Sequence, residues 1–499
     1  VIDAALIRGE AMRGVKLQPL PTPAPPRSAA TQTRVHLLNA QHPGPLFEDV
    51  TLTSGIAQRV YIRDTVASRN ADIGSGAPNG AGIAVGDFDD DGLVDLFLAG
   101  DGNNRLYRNL GDFRFEDATE AVGIDDHRID DARHALFADV DGDGRLDLLI
   151  VHNLSPSRLY MQQKDGTFIE QAKARGLVLG PGATAAVFFD YDNDGDLDLY
   201  VGCYGATSRP DKVPPSLDGR NADANQLYRN DGDGMFTDVT REAGVGSTAW
   251  TLACGAADFN GDGWLDLYLA NDFGADQLYI NRGDGRFEDV APAVGLDDRG
   301  SGMTASFPDV NSDGWPDVYV SVIDTQFRNV RYDVSGPHTD RTLHDHVMRS
   351  RAYGSGNKLM LSERGEYFTP VEDRYFEADA KGWSWGALFF DYENDGDDDM
   401  YLATGWFKGH YNHNDPNLML LRDDEMFLNI KPASPEGFRA NSRGAAAVDL
   451  DNDGAIDLVV NNFGSPPRVL RNVQRTDNRW VKVRLRAGRD NRQGIGATI

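Results

Sequence analysis

The chain has 499 residues, with 78 acidic against 49 basic side chains and a formal charge of −29 at pH 7. That excess of carboxylates excludes the proteins that hold nucleic-acid phosphates or anionic membrane surfaces through Lys and Arg. Only two cysteines and no apolar run of about 20 residues occur, which excludes a disulfide-rich scaffold and a transmembrane helix in this sequence.

The first 40 residues contain no repeat. Five prolines between Pro19 and Pro26 predict an extended linker, because proline fixes φ and lacks an N–H group. We expect residues 1–40 to form an extended, Pro-rich arm on the surface, and a tether to a partner is the alternative. The chain starts at Val1 and ends in a strand-like run, so we expect it to belong to a longer precursor.

One nine-residue pattern, Asp-x-Asp/Asn-x-Asp-Gly-x-x-Asp, occurs seven times with one Glu variant. Where no insertion intervenes, successive copies begin 51 or 52 residues apart. Small apolar residues precede each copy, and a β-rich run follows it. A third strand-like segment and a Gly/Asp turn then lead to a fourth. This unit is typical of a propeller blade made of four short strands.

The two ends of the repeat region complement each other. The seventh unit has a third strand near residues 469–470 but no recognisable fourth one, whereas residues 46–50 resemble a fourth strand without a loop before it. Pairing the two would complete a blade and remove an open sheet edge. We therefore predict an all-β, seven-bladed β-propeller over residues 41–475, with permuted ring closure through the N-terminal strand.

The repeated pattern supplies the ligands of a calcium loop: side-chain oxygens at positions 1, 3, 5 and 9, Gly at the turn, and a carbonyl at position 7. Position 12 is aliphatic in every copy, so the loops belong to β-hairpins rather than helix pairs. Solvated turns and catalytic carboxylate pairs are the alternatives. Seven copies with fixed spacing favour Ca²⁺, up to seven ions. The predicted ligands are Asp87, Asp89, Asp91, Leu93, Asp95, Asp139, Asp141, Asp143, Arg145, Asp147, Asp190, Asp192, Asp194, Asp196, Asp198, Asp258, Asn260, Asp262, Trp264, Asp266, Asp309, Asn311, Asp313, Trp315, Asp317, Asp391, Glu393, Asp395, Asp397, Asp399, Asp449, Asp451, Asp453, Ala455 and Asp457.

These units resemble FG-GAP/VCBS repeats, as found in the integrin α-subunit propeller, and residues 256–268 are similar to repeats of the cartilage acidic protein family. The tail over residues 478–497 resembles the start of an ASPIC/UnbV domain, so we expect residues 476–499 to begin a truncated β domain of that kind. The resemblance implies a secreted, cell-surface or periplasmic propeller that is stabilised by calcium and acts through protein or glycan contacts. It implies no catalytic residues.

Three insertions interrupt the repeat, at residues 204–224, 322–356 and 403–416, and binding sites of propellers usually lie in such rim loops. The second and third are rich in histidine. Their imidazoles either bind a transition metal, supply a catalytic base or are simply solvated. The residues are His338, His344, His346, His410 and His413.

Cys203 and Cys254 are placed by the repeat pattern at strand ends in adjacent blades. A disulfide between them would fit an oxidising compartment, and two separate buried thiols are the alternative. Trp383 and Trp385 precede the sixth acidic loop, where packing in the core or channel is favoured over a sugar-stacking platform.

The sequence thus favours an extracytoplasmic propeller that acts as a protein-interaction, adhesion or accessory subunit, within a larger complex or on a surface glycan. A carbohydrate-active enzyme similar to polysaccharide lyases is the first alternative, and it requires the rim histidines to converge. A self-associating structural component of the cell surface is the second alternative. No nucleic-acid partner is expected.

Overall fold

The computed structural model describes residues 29–56, 82–100, 104–126, 132–180, 182–205, 219–322, 356–376, 384–408, 411–413, 416–429, 438–463, 465–474 and 478–483, and the single positions 485, 491 and 495. Within this part of the chain, β-strands dominate and helices are few. All but two of the strands belong to seven four-stranded antiparallel sheets.

Each sheet is one blade, and its strands run from the inner to the outer edge. Blade 1 contains β2 (Ile83–Gly86), β3 (Asp95–Leu98), β4 (Arg105–Asn109) and β5 (Phe115–Asp117). Blade 2 contains β6 (Ala132–Ala138), β7 (Asp147–His152), β8 (Arg158–Gln162) and β9 (Phe168–Glu170). Blade 3 contains β10 (Ala183–Phe189), β11 (Asp198–Cys203), β12 (Gln226–Asn230) and β13 (Phe236–Asp238). Blade 4 contains β14 (Thr251–Ala257), β15 (Asp266–Asn271), β16 (Gln277–Asn281) and β17 (Phe287–Asp289).

The last three blades carry the larger irregularities. Blade 5 contains β18 (Gly302–Ser306), β19 (Val318–Val322), β20 (Lys358–Ser362) and β21 (Phe368–Pro370). Blade 6 contains β22 (Ser384–Phe390), β23 (Asp399–Thr404), β26 (Leu418–Asp423) and β27 (Met426–Leu428), with the hairpin β24 (Trp406–Lys408) and β25 (Tyr411–His413) inserted after β23. Blade 7 contains β28 (Ser442–Val448), β29 (Asp457–Asn462), β30 (Arg468–Asn472) and, as its outer strand, β1 (Phe47–Asp49).

The inner strands contact one another in blade order, and β28 of blade 7 contacts β2 of blade 1. The predicted all-β, seven-bladed propeller is confirmed. At the junction of the chain ends, β1 runs antiparallel to β30, with Phe47 opposite Asn472 and Asp49 opposite Leu470. The Tyr392 hydroxyl of blade 6 also donates a hydrogen bond to the Leu46 carbonyl at 2.5 Å.

Among the described residues, the buried apolar side chains form eight clusters. Seven of them each lie between two adjacent blades, and the eighth, with Tyr204, Ala222 and Trp250, lies where the insertion of blade 3 meets blade 4. Between blades 1 and 2, for example, Phe97 packs with Leu148 and Ile150, all three without solvent exposure. The second strand of each blade is buried along its whole length. A blade therefore cannot bury its own apolar faces without its two neighbours, which is why repeats of this kind form a ring.

The described part of the chain contains four helices, which are peripheral to the blades: α1 (Ala29–Gln41), α2 (Thr240–Ala243), α3 (Ala291–Val294) and α4 (Glu372–Tyr375). The last three, together with a 3₁₀ turn at Lys173–Arg175, each follow the outer strand of a blade.

Helix α1 overlaps the end of the extended arm that the sequence predicted over residues 1–40, so the prediction is wrong for residues 29–40. The prolines end at Pro26, and the residues that follow are mainly helix-compatible ones such as Ala, Gln, Arg and Leu. Buried Leu38 packs into the core between blades 6 and 7, and Arg34 forms an ion pair with Asp423 at 2.5 Å. Residues 1–28 lie outside the described part of the chain.

Candidate metal centres in the acidic loops

Each blade carries its acidic loop between its first and second strands, as the repeat pattern predicted. We number the loops by their residues: loop 1 (87–95), loop 2 (139–147), loop 3 (190–198), loop 4 (258–266), loop 5 (309–317), loop 6 (391–399) and loop 7 (449–457). Within a blade, all four strands lie in one antiparallel sheet. The seven loops therefore lie at one face of the propeller.

The carboxylate at position 1 organises the turn of every loop. In loop 1, Asp87 accepts hydrogen bonds from the backbone N–H groups of Asp91 at 3.0 Å and Gly92 at 3.1 Å. Asp91 at position 5 accepts one from the N–H group of Leu93 at 2.8 Å. The same three bonds recur in the other six loops. One fixed spacing of residues thus gives one loop conformation seven times.

The backbone of each loop is left-handed at two positions. The glycine at position 6 has φ between 86° and 100°, and position 4 is Asp, Asn, Ser or Gly with φ between 55° and 70°. A Cβ atom on Gly92 would meet no atom within 4 Å. Glycine is therefore required at this position by its backbone conformation and not by a lack of space.

The carboxylate at position 9 is buried and connects the loop to the sheet. Asp95 has no solvent exposure, and its two oxygens accept backbone N–H bonds from Phe88 at 2.9 Å and Asn109 at 2.7 Å. Equivalent pairs of bonds occur in all seven blades. Position 9 therefore has a structural role as well as an oxygen to offer a cation.

Some of the predicted ligands lie close together in four of the seven loops. Among the described residues, loops 1, 2, 3 and 7 each contain three carboxylates that offer one oxygen apiece, and these three oxygens lie within 4.8 Å of one another. Positions 1, 3 and 9 form the group in loops 1 and 2, and positions 1, 3 and 5 form it in loops 3 and 7. Oxygen-only donor sets of this kind suit Ca²⁺.

The carboxylates at position 3 provide a test of whether a cation fits. The Oδ1 atoms of Asp141 in loop 2 and Asp192 in loop 3 are buried and accept no hydrogen bond. A buried carboxylate oxygen without a partner is costly. A cation in each of the two loops would satisfy these atoms, so the residues present fit bound Ca²⁺ ions.

The pKa values of several loop carboxylates are raised, which shows that their negative charges lack compensation in these loops. Burial, followed by the neighbouring carboxylates, raises the pKa of Asp192 to about 6. At position 9, burial raises the pKa of Asp198 to about 9 and of Asp457 to about 8, although backbone hydrogen bonds oppose it. The same cause raises the pKa of Asp95 and Asp147 to about 7. A divalent cation is the natural counter-ion for such a cluster.

Arginine side chains supply part of the positive charge at the outside of some loops. Arg108 contacts Asp89 at 2.7 Å, and Arg471 lies 3.6 Å from Asp451. Each of these arginines precedes the last residue of the third strand of its blade. They contact only the position-3 and position-5 carboxylates, so the oxygens of position 1 still face the loop turn.

The carbonyl oxygens predicted as ligands at position 7 belong to residues whose N–H groups bond to the position-5 carboxylate, as Trp264 does with Asp262 at 3.0 Å. The participation of these carbonyls in metal binding stays a prediction.

The sequence reasoning missed a set of amides that join each loop to the next blade. In five blades, the last residue of the third strand is Asn or Gln, and its side-chain amide donates to the carbonyl of position 2 in the preceding blade's loop. The five residues are Asn109, Gln162, Asn230, Asn281 and Asn472. The available signal was a recurring Asn or Gln two residues after the Leu-Tyr pair of the third strand, or after Val469-Leu470 in blade 7.

We expect Asn281→Ala to lower the free energy of unfolding by about 2–4 kcal/mol, since it leaves buried carbonyls without donors. The Asn281 amide donates to the Tyr191 carbonyl at 2.7 Å and to the Leu265 carbonyl at 3.2 Å. Ser362 occupies the equivalent position in blade 5, and Ser362→Ala is the control, with an expected loss below about 1 kcal/mol. Chemical denaturation measures both values, and equal effects would contradict an inter-blade role.

Cys203 and Cys254 are two thiols and not a disulfide in this structure, which agrees with the second of the two alternatives that the sequence left open. Cys203 is the last residue of β11, but Cys254 lies in the middle of β14 opposite Leu269, not at the end of its strand. The strand boundary was misjudged by three residues because β14 begins at Thr251. Burial raises the pKa of the Cys254 thiol to about 12.

Both thiols should therefore be inert to a thiol reagent in the native protein and react only after unfolding. Cys203 is 3% exposed, so a reagent cannot reach its sulfur. Cys254 has a raised pKa and therefore forms little of the reactive thiolate. Titration of the unreduced protein with a chromogenic disulfide is expected to give two thiols in denaturant. A count near zero thiols per chain in denaturant would show that the two cysteines are joined as a disulfide.

The predicted rim histidines fall mostly outside the described residues: His338, His344, His346 and His410 do so entirely. For His413, only its backbone in β25 is described. Their convergence thus stays untested. Trp385 lies against the Arg443 guanidinium, 3.9 Å from the ring centre, and donates to the Gly405 carbonyl at 2.8 Å. Trp383 lies outside the described part.

A family model for the FG-GAP-like repeat matches residues 87–150, 139–201, 216–269 and 258–320. Cartilage acidic protein 1 of Mus musculus is 22% identical over 436 residues, covering 81% of this chain and 61% of that protein. The Homo sapiens protein is 27% identical over 200 residues, covering 38% of this chain and 28% of that protein. The chain therefore contains FG-GAP-like repeats and is similar to cartilage acidic protein 1. It spans between about a quarter and two thirds of the length of its curated relatives.

Solved structures with similar folds include an Agrocybe aegerita lectin described as recognising non-reducing terminal N-acetylglucosamine. It has a TM-score of 0.41 and 16% identity, over 79% of this chain and 90% of that chain. A BBS1N chain in complex with ARL6DN has a TM-score of 0.44 and 8% identity, over 87% and 99%. Both scores are too low to indicate a ligand of the FG-GAP propeller. Among the described helices, none has the length and apolar character to cross a membrane.

Proposed function

We propose that this FG-GAP propeller is an extracytoplasmic, calcium-stabilised interaction subunit, whose rim loops bind a protein partner or a surface glycan. The observation that carries the calcium part is the repeated loop scaffold with unsatisfied buried carboxylate oxygens at Asp141 and Asp192. Calcium at extracellular, near-millimolar levels fills even weak oxygen sites of this type.

The ions would act on stability rather than on chemistry. Each loop brings three or four carboxylates together at the start of a second strand, and their repulsion weakens the hairpin unless a cation is bound. Because the position-9 carboxylate also accepts N–H bonds from the third strand, loosening one loop would loosen the whole blade. Carboxylates that coordinate a cation do not readily transfer protons as well, so we propose no catalytic role for the loop residues.

The interaction surface would lie at the opposite face. The second strand of a blade starts at an acidic loop and ends at the other face, where the insertions of blades 3, 5 and 6 follow β11, β19 and β23. In blade 3, the insertion is anchored at both ends: Tyr204 stacks edge-on against Trp250 at 4.9 Å, and the Trp250 indole donates to Asn221 at 2.8 Å. A rigid base with long loops is a common arrangement for binding.

The experiment is affinity purification from the native source after mild crosslinking, in Ca²⁺ and in EDTA. The wild-type chain is compared with a variant in which residues 206–218 are replaced by a short Gly-Ser linker. The matched control replaces the exposed turn residues Asp165 and Gly166 of blade 2 by the same linker residues. We expect a stoichiometric partner that is retained by the control in Ca²⁺, and reduced by the insertion variant or by EDTA. A lone monomer under all conditions would contradict the interaction role.

A further inference from the structure

The segment that follows the propeller crosses the acidic-loop face and contacts two of its loops. The Asn478 side chain donates to the backbone carbonyl of Glu393 in loop 6 at 3.0 Å. Lys482 donates from its ammonium group to the side-chain oxygen of Asn452 in loop 7. The indole of Trp480 lies on Gly454, where a methyl group on the glycine would overlap the ring. We call residues 478–483 the strap.

The strap is in contact with backbone that the carboxylates of loop 7 hold in shape. Asn452 and Gly454 both have left-handed backbones, with φ of 59° and 88°. The position-1 carboxylate of Asp449 accepts the N–H bonds of Asp453 at 3.1 Å and Gly454 at 3.2 Å. The same Asp449 belongs with Asp451 and Asp453 to one of the carboxylate groups that fit a cation. Trp480 therefore packs on a turn whose conformation depends on Asp449, one of the candidate cation ligands of loop 7.

The equivalent glycines show that this contact is particular to loop 7. At Gly92, Gly263, Gly314 and Gly396, a Cβ atom would meet nothing within 4 Å, although their φ values of 86° to 96° are nearly the same. Among these five glycines, only Gly454 has a side chain packed where its Cβ atom would lie. This contact could not be predicted from the sequence, because residues 454 and 480 belong to different predicted domains.

Two opposing effects decide how a cation in loop 7 would change the strap. The positive Lys482 would be repelled by Ca²⁺, but it is exposed to water and bonds to a neutral amide, so this repulsion is screened. Trp480 is 48% exposed, so about half of its side chain is buried, and the ring edge that lies on Gly454 stays in contact only while the turn keeps its shape. The packing effect is the larger one, and cation binding should favour docking of the strap.

We propose that the strap docks on loop 7 when that loop holds its cation and is released when the cation leaves. The inference rests on the proposed calcium binding. It makes the acidic-loop face a docking surface for this chain's own C-terminal segment, and the segment's position would report the occupancy of loop 7. By linkage, a docked strap must raise the calcium affinity of loop 7 by the same factor by which calcium favours docking.

The test uses trypsin, which cleaves after Arg479 and Lys482, together with a melting curve of the same samples. Asp453→Asn weakens the cation site of loop 7, and Asp194→Asn is the matched control at the same position of loop 3. In millimolar Ca²⁺, we expect the strap of wild type and of the control to be cleaved at least tenfold more slowly than that of Asp453→Asn. Equal cleavage of the two variants would overturn the inference.

A second pair of variants separates the contact from the general stability of the loops. Gly454→Ala and Gly92→Ala impose the same backbone strain, at φ of 88° and 89°, but only the first displaces Trp480. Faster strap cleavage is expected for Gly454→Ala alone. If Ca²⁺ raises the melting temperature but leaves strap cleavage unchanged, this inference fails and the proposed function stands. If Ca²⁺ changes neither, both fail.

Discussion

Removal of calcium with EDTA is expected to lower the melting temperature of the protein by about 10 °C or more, and added Ca²⁺ to restore it. A single site at a hundredfold excess of ligand over its dissociation constant contributes about 2.7 kcal/mol. If several loops bind Ca²⁺, their summed contribution to the free energy of unfolding would exceed the loss caused by any single substitution. The carboxylate groups of loops 1, 2, 3 and 7 should contribute most, because three of their oxygens already lie close together.

The control for this melt is Mg²⁺, which requires a stricter octahedral geometry and holds its water more firmly. At equal concentration, it should restore only a small part of the lost stability. A melting curve that is the same with and without EDTA would contradict calcium stabilisation of the blades.

Asp198→Ala is expected to lower the free energy of unfolding by about 3–5 kcal/mol, even in EDTA. The Asp198 carboxylate has no solvent exposure and accepts the N–H bonds of Tyr191 at 2.9 Å and Asn230 at 2.8 Å. Alanine leaves both donors buried and unsatisfied, at about 1–3 kcal/mol each, and adds a small cavity.

The control for Asp198→Ala is Asp194→Ala in the same loop. Asp194 is exposed and accepts only the N–H bond of Asp196, at 3.0 Å, so its loss should matter mainly in Ca²⁺. Denaturant titrations of both variants with and without EDTA distinguish the two roles. If Asp198→Ala lost its effect in EDTA, position 9 would be a metal ligand without a structural role.

Much of the fold was predictable because its signals are local. The spacing Asp139, Asp141, Asp143, Gly144 fixes a turn over nine residues, and its repetition fixes the number of blades. The Leu-Tyr pairs likewise mark the third strands. These features depend only on neighbouring residues, so they can be recognised without knowing what packs against them.

What the sequence did not indicate depends on contacts between distant residues. The amide of Asn109 reaches the carbonyl of Leu450, 341 residues away, and Trp480 reaches Gly454 from outside the repeat region. Helix α1 was not predicted, because the prolines before it favour an extended chain. Its packing through Leu38 depends on blades 6 and 7, which are distant in sequence. The sequence left open whether Cys203 and Cys254 are joined, because a disulfide depends on the distance between side chains of two adjacent blades.

The most direct test of calcium binding is to count the ions. The protein is dialysed against buffer with 1 mM Ca²⁺, roughly the extracellular level, and bound metal is measured by atomic emission against protein concentration. We expect between four and seven Ca²⁺ per chain, with loops 1, 2, 3 and 7 occupied first. Fewer than one ion per chain would contradict calcium binding by the seven loops and, with it, the proposed stabilisation of the propeller.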